Sequence, residues 1–206
     1  MKTTTVLLID DHDVMRMGLA SLLGTCKDIS VIGDAGDGES GIRKTLKLRP
    51  DVIIMDLMMP EMDGAEATKR ILEKWPEANI LILTTFSTSD GIKRALDAGA
   101  KGAILKSSDL KGLLAAINAV AAGKHHLSAE VEQIMTDDPP IPELSARQRE
   151  ILDSLVRGLS NPDIAAQLGI STQMVKDHLT VLLAKLGAAN RAEAVAIALR
   201  KQLLKM

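Results

Sequence analysis

Five short apolar runs rich in Val and Ile divide the first part of the chain, at residues 6–9, 29–32, 52–55, 80–83 and 102–105. None of them alternates apolar with polar residues. A strand with one wet face would alternate, so these runs are expected to be covered on both faces, as in a parallel sheet between two helical layers. The segments between them have helical spacing, as in Met15, Leu19, Leu22 and Leu23, or Ile92, Ala95 and Leu96. Five β/α units in about 120 residues predict a small doubly wound domain. In such a sheet a site lies beyond the carboxyl ends of the strands.

The residues expected there are polar and of few kinds. Asp10 and Asp11 follow the first run, Asp56 the third, Thr84 the fourth and Lys106 the fifth. Neighbouring strand ends would gather three carboxylates, a hydroxyl and an ammonium in one shallow pocket. Clustered carboxylates repel, and a hard divalent ion such as Mg2+ would neutralise them. With that ion present, one carboxylate can attack phosphorus, while Lys106 and Thr84 hold the transferring oxygens. The alternative is a lysine that merely pairs with aspartates at the sheet edge. Residues 36–41 (GDGESG) fit a dinucleotide-binding pattern. However, they follow the second run, and Asp37 and Glu39 would repel a pyrophosphate, so a turn and helix start is the better reading.

Charge separates the rest of the chain from this part. Residues 1–124 carry 16 basic and 17 acidic side chains, residues 125–142 none and 4, and residues 143–206 9 and 6. Residues 125–142 hold three prolines, 139, 140 and 142, and are expected to form an acidic, extended linker. His125 and His126 lack partners at ligand spacing and read as solvated linker residues. Beyond the linker, capping signals predict four helices. These start at Ser145 (with Gln148), Ser160 (with Pro162), Ser171 and Asn190 (with Glu193), with Gly158, Gly169 and Gly187 closing the first three. A short helix, a tight turn and a longer helix make a helix-turn-helix.

Composition narrows the function classes. One Trp, one Phe and no Tyr leave little for recognition by base stacking. A single cysteine, Cys26, cannot form an intrachain disulfide. No apolar stretch is long enough for a signal-peptide core or a membrane span, so a cytoplasmic location and no membrane partner are expected.

Residues 1–124 resemble the receiver domain of bacterial two-component response regulators through LLIDDHD, PDVIIMDLMMPEMDG, LILTTF and AGAKGAILK. The segment LSARQREILDSLVRGLSNPDIAAQLGISTQMVKDHLTVLLAKLGAANRAEAVAIAL resembles the LuxR-type helix-turn-helix domain. Together they resemble a NarL/FixJ-type regulator. That implies a flavodoxin-like five-stranded parallel-sheet receiver (1–124), a linker (125–142) and an all-α four-helix helix-turn-helix domain (143–206). It also implies a regulator of transcription rather than an enzyme. By the same resemblance, Asp56 accepts a phosphoryl group from a sensor histidine kinase. Mg2+ is held by Asp11 and Asp56, by the Met58 backbone carbonyl, and through water by Asp10. Thr84 moves to bond the phosphoryl group, Lys106 pairs with it, and Pro60 and Gly64 shape the loop after the acceptor.

Two positions depart from the receiver pattern. Ala103 stands where the family usually has a Tyr or Phe switch, so transmission by an aromatic ring is excluded. Met58 and Phe86, two residues past Asp56 and Thr84, are apolar and poorly suited to orient water, which implies a long-lived phosphoryl group. In the second domain the third helix would enter the major groove with Lys176, Asp177 and Thr180 facing bases, and with Ser171 and Thr172 on a backbone phosphate. His178 is open between packing and DNA contact, and Asp177 is unusual, since a carboxylate repels phosphates. Double-stranded DNA at promoter half-sites, a homodimer in the active state through Ala192, Val195 and Leu199, and RNA polymerase as a further candidate complete the expected partners. The rival readings are a scaffold whose helix-turn-helix no longer binds DNA and a receiver that works without phosphate.

Overall fold

The computed structural model describes residues 3–85, 89–201 and 203–204. They form two compact units, Met1–Pro139 and Pro140–Met206. The first contains strands β1 (Thr4–Ile9), β2 (Ile29–Ala35), β3 (Val52–Asp56), β4 (Ile80–Thr84), β5 (Gly102–Leu105) and β6 (His126–Leu127). Its helices are α1 (Asp13–Gly24), α2 (Gly38–Leu48), α3 (Gly64–Lys74), α4 (Ser89–Asp97), α5 (Leu110–Ala121) and α6 (Ala129–Asp137). The strands make one parallel sheet in the order β2-β1-β3-β4-β5-β6.

Along β1, β3, β4 and β5 both faces of the sheet are dry, as the uninterrupted apolar runs require. Leu7, Ile9, Ile53, Met55, Ile80, Ile82, Ala103 and Leu105 pack into one core with α2, α3, α4 and α6. Val6, Leu8, Val52, Ile54, Leu81, Leu83 and Ile104 pack into the other with α1 and α5. The GDGESG segment is a turn that opens α2, where Asp37 accepts from the Ser40 amide. Gly41 is needed for packing there, because a Cβ would stand 2.7 Å from Ile9 Cδ1.

Part of the expected extended linker is regular structure instead, and it adds a short sixth strand at the edge of the sheet. Residues 126–137 form a sixth strand and a helix that complete the first unit. β6 runs parallel to β5, pairing His126 with Gly102 and Leu127 with Ala103. Ser128 then caps α6 by accepting from the Val131 amide. Val131 is fully buried, and Leu127, Ile134 and Met135 pack around the same core. Helical spacing at 131, 134 and 135 is the physical reason: those side chains make one apolar stripe on an otherwise acidic helix. Val131→Ala is expected to lower the stability of this unit by roughly 2 kcal/mol. Urea unfolding followed by fluorescence of Trp75, the chain's one tryptophan, reads that unit alone.

The second unit contains α7 (Ala146–Val156), α8 (Asn161–Leu168), α9 (Thr172–Leu186) and α10 (Arg191–Arg200). Capping boxes stand at Ser145/Gln148 and Ser160/Asp163, and Ser171 and Asn190 cap the other two helices. Gly169 and Gly187 end α8 and α9 in the left-handed conformation, at φ 64° and 65°. The core is aliphatic: Ile151, Leu152, Leu155, Ile164, Val175, Leu182 and Leu186, closed by Ala194 and Ala198. Among the described residues, no helix of the chain is long and apolar enough to cross a membrane.

Candidate functional site

The order of the strands decides which polar residues meet. β1, β3, β4 and β5 are neighbours. Asp10 follows β1, Asp56 and Thr84 are the last residues of β3 and β4, and Lys106 follows β5. Asp10, Asp56 and Thr84 are buried. Lys106 Nζ lies 2.6 Å from Asp10 Oδ2 and 2.9 Å from Asp56 Oδ2, so one ammonium is shared by two carboxylates. The Lys106 amide donates to the Thr84 carbonyl at 2.6 Å, which fastens the β5 end to the β4 end.

Sharing shapes the titration of the pair. Burial pulls the Lys106 ammonium down, but its hydrogen bonds and charge attraction to Asp10 and Asp56 outweigh that and raise it above its ordinary value. Burial pushes the Asp56 carboxyl up, and the like charge of Asp10 adds to this, against the opposing bond from Lys106. The lysine gains from two partners, whereas Asp56 has half of one cation and faces a second anion.

The loop after β3 adds to the site. The Met58 amide donates to Asp56 Oδ1 at 3.3 Å, so residue 58 sits beside the Asp56 carboxylate with its side chain exposed. At Gly64 a Cβ would fall 2.3 Å from the Asp56 carbonyl oxygen, and the Gly64 amide donates to the Leu57 carbonyl. Only glycine lets this loop fold back so closely on the strand end. Phe86 lies outside the described residues. Ala103, fully buried, is covered through β6 and α6 rather than filled by a ring.

Two residues not expected from the sequence belong to the site. His12 Nδ1 lies 2.9 Å from Asp11 Oδ1 and 3.3 Å from Asp10 Oδ1, and the His12 amide donates to Asp10 Oδ1. Arg16 donates to the Asp10 carbonyl at 2.7 Å and to Asp34 Oδ2 at 3.0 Å, and also pairs with Asp13. Arg16 thus ties the loop carrying the acidic pair to the end of β2. Asp10, Asp11, His12 and Asp56 each offer a ligand atom, all within 4.8 Å of one another. This oxygen-rich set suits a divalent cation.

In the second unit α9 presents an exposed row of Gln173, Lys176, Asp177 and Thr180, with Met174 and Val181 beside it. Ser171 caps the helix by accepting from the Met174 amide, and Thr172 opens its first turn half-buried. Asp177 Oδ1 accepts from Gln173 Nε2 at 2.9 Å, and Thr180 Oγ1 donates to the Lys176 carbonyl at 3.0 Å. Gln173 was not among the expected groove residues, although its i,i+4 spacing from Asp177 is visible in the sequence. His178 is half-buried. On α10, Ala192 and Leu199 are exposed and Val195 is half-buried.

Residues 6–118 match the response regulator receiver domain family, and residues 142–198 match the luxR family of bacterial regulatory proteins. The transcriptional regulatory protein LiaR of Bacillus subtilis (strain 168) is 39% identical over 97% of this chain and 98% of its own length. The chain belongs to the response regulators with a LuxR-type output domain. This response regulator is also similar to the response regulator protein VraR of Staphylococcus aureus, at 37% identity over 98% of the chain and 99% of VraR. Among solved structures, the response regulator ChrA of a heme-sensing two-component system aligns over 99% of this chain and 100% of its own, with 39% identity and a TM-score of 0.60. An RcsB structure, of two dimers bound to two parallel DNAs, aligns over 97% and 99% with 26% identity and a TM-score of 0.72. Members of the family are DNA-binding regulators of transcription in two-component systems, not catalytic enzymes. The flavodoxin-like receiver and the helical output domain of this response regulator accord with that membership.

Proposed function

We propose that this response regulator takes a phosphoryl group on Asp56 from the phosphohistidine of a sensor kinase, and that this controls sequence-specific DNA binding by its output domain. The observation that supports it is the Lys106 ammonium shared between two buried carboxylates at neighbouring strand ends. Residues 1–124 together with β6 and α6 carry the phosphoacceptor function, 143–206 carry DNA binding, and the proline-rich stretch at 138–142 connects them. The protein works in the cytoplasm.

Asp11 and Asp56, the Met58 carbonyl and, through water, Asp10 would hold Mg2+, which supplies charge neutralisation for an oxyanion approaching this acidic pocket. An Asp56 carboxylate oxygen forms the new bond to phosphorus as the bond to the histidine nitrogen breaks, and the imidazole leaves with the electron pair. Lys106, kept protonated by its two carboxylates, is placed to exchange an aspartate oxygen for a phosphoryl oxygen. Thr84, on the adjacent strand end, donates its hydroxyl to the same group. On DNA, Lys176, Asp177 and Thr180 face bases, and Ser171 and Thr172 hold a phosphate. A homodimer on two promoter half-sites offsets the small positive charge of one output domain, and RNA polymerase is a further partner.

Beryllofluoride with Mg2+, a phosphoryl mimic, is expected to raise affinity for DNA from the region upstream of the protein's own coding sequence and to shift the protein from monomer to dimer. Binding is measured at several salt concentrations, because phosphate contacts weaken steeply with salt. Identical affinity and oligomeric state with and without the mimic would contradict the proposal.

A further inference from the structure

Asp177 is an anion on the helix face assigned to the major groove, where it meets phosphates of its own sign. The structure gives it a partner on the same face. Its Oδ1 accepts from Gln173 Nε2 at 2.9 Å, one turn nearer the start of α9, and both residues are exposed. A carboxylate offers acceptors only, so the glutamine amide must turn its NH2 group toward it. One N–H is engaged, which leaves the second N–H and Oε1 side by side as a donor–acceptor couple. An adenine edge in the major groove presents the complement, an N7 acceptor and an N6 donor. The bond to Asp177 also removes rotamer freedom from Gln173 before DNA arrives, so less entropy is lost on binding.

We propose that Gln173 reads an adenine in each half-site and that Asp177 is its positioning residue, which gives the carboxylate in the groove a purpose. The inference rests on the DNA-binding reading above. Lys176 and Thr180 stay at their assigned places. Because the Thr180 hydroxyl proton is given to the Lys176 carbonyl, Thr180 presents lone pairs and a methyl group to the DNA.

The test is selection of bound sites from a pool of randomised half-sites by the full chain and by three variants, at two salt concentrations. The wild type is expected to prefer A·T at one position per half-site by about tenfold. Gln173→Ala should lose that preference and keep the others. Asp177→Ala should bind all sequences more tightly, since it removes a repulsion, yet lose the same adenine preference. Asp177→Asn, whose side-chain oxygen can still accept from Gln173, should bind more tightly and keep it. Retention of the adenine preference in Gln173→Ala or Asp177→Ala overturns the inference while leaving DNA binding intact. Failure of the wild type to select any sequence overturns the DNA-binding reading and this inference with it.

Discussion

With Asp56 replaced by Asn, the response regulator is expected to take up no phosphate from a small phosphoramidate donor in the presence of Mg2+. The amide matches the carboxylate in shape and can still accept from Lys106, but it lacks the nucleophilic oxygen. Stability should change little. Burial already pushes the Asp56 carboxyl up, with Asp10 adding its like charge, so the folded protein holds a charged Asp56 at some cost. A neutral isostere removes both that cost and half of the Lys106 pairing. Intact mass after incubation with the donor reads the result, and the folded state is checked by urea unfolding. Phosphate uptake by Asp56→Asn at the wild-type level would remove Asp56 from its role.

Lys106→Ala should produce the second large effect, this time on stability. The substitution leaves Asp10 and Asp56 facing each other without their shared cation. Removing one partner of a buried ion pair costs about 3–5 kcal/mol, and that loss is expected here in metal-free buffer. Added Mg2+ should restore part of it by replacing the lost positive charge. The pH dependence has a definite sign. Asp56's folded value is raised, so protons favour the folded state as pH falls through that value. The deficit of Lys106→Ala should therefore narrow toward acid as Asp56 takes up its proton. In the wild type, Lys106's raised folded value makes its contribution fully present below its unfolded value, and lost as alkali titrates through the folded one. Trp75 fluorescence during urea unfolding measures each case. A deficit indifferent to both Mg2+ and pH would mean that Lys106 acts only through packing.

How much of this was legible in the sequence depends on where each residue's role is decided. Four of the five apolar runs announced their strands because burial on both faces leaves no polar residue inside them, whereas the run at 29–32 admits Ser30 because β2 lies at the sheet's edge. Asp10, Asp56, Thr84 and Lys106 were legible for a related reason: a polar residue just after a buried strand can only stand at the sheet's edge. The four output helices carried their own boundaries in Ser145, Ser160, Ser171 and Asn190. β6 was not legible, since a two-residue strand has no periodicity. The apolar stripe of α6 was masked by the acids around it and the prolines after it. His12 and Arg16 were missed because their partners are fixed by a loop and by β2 rather than by spacing. Arg16 reaches Asp34 only once the sheet has formed.

The short strand and helix after α5 also govern how such a chain can be cut and rejoined. A seam placed at residue 124 would strip the cover from Val131's side of the sheet and leave the edge of β5 bare, inviting other strands to pair with it. A seam among residues 138–143 would fall instead in the proline-rich stretch that follows the last helix of the first unit. A chimera that joins this sensing half to another output domain would then keep both bodies whole. Exchange of this chain's output domain is therefore least disruptive at the prolines.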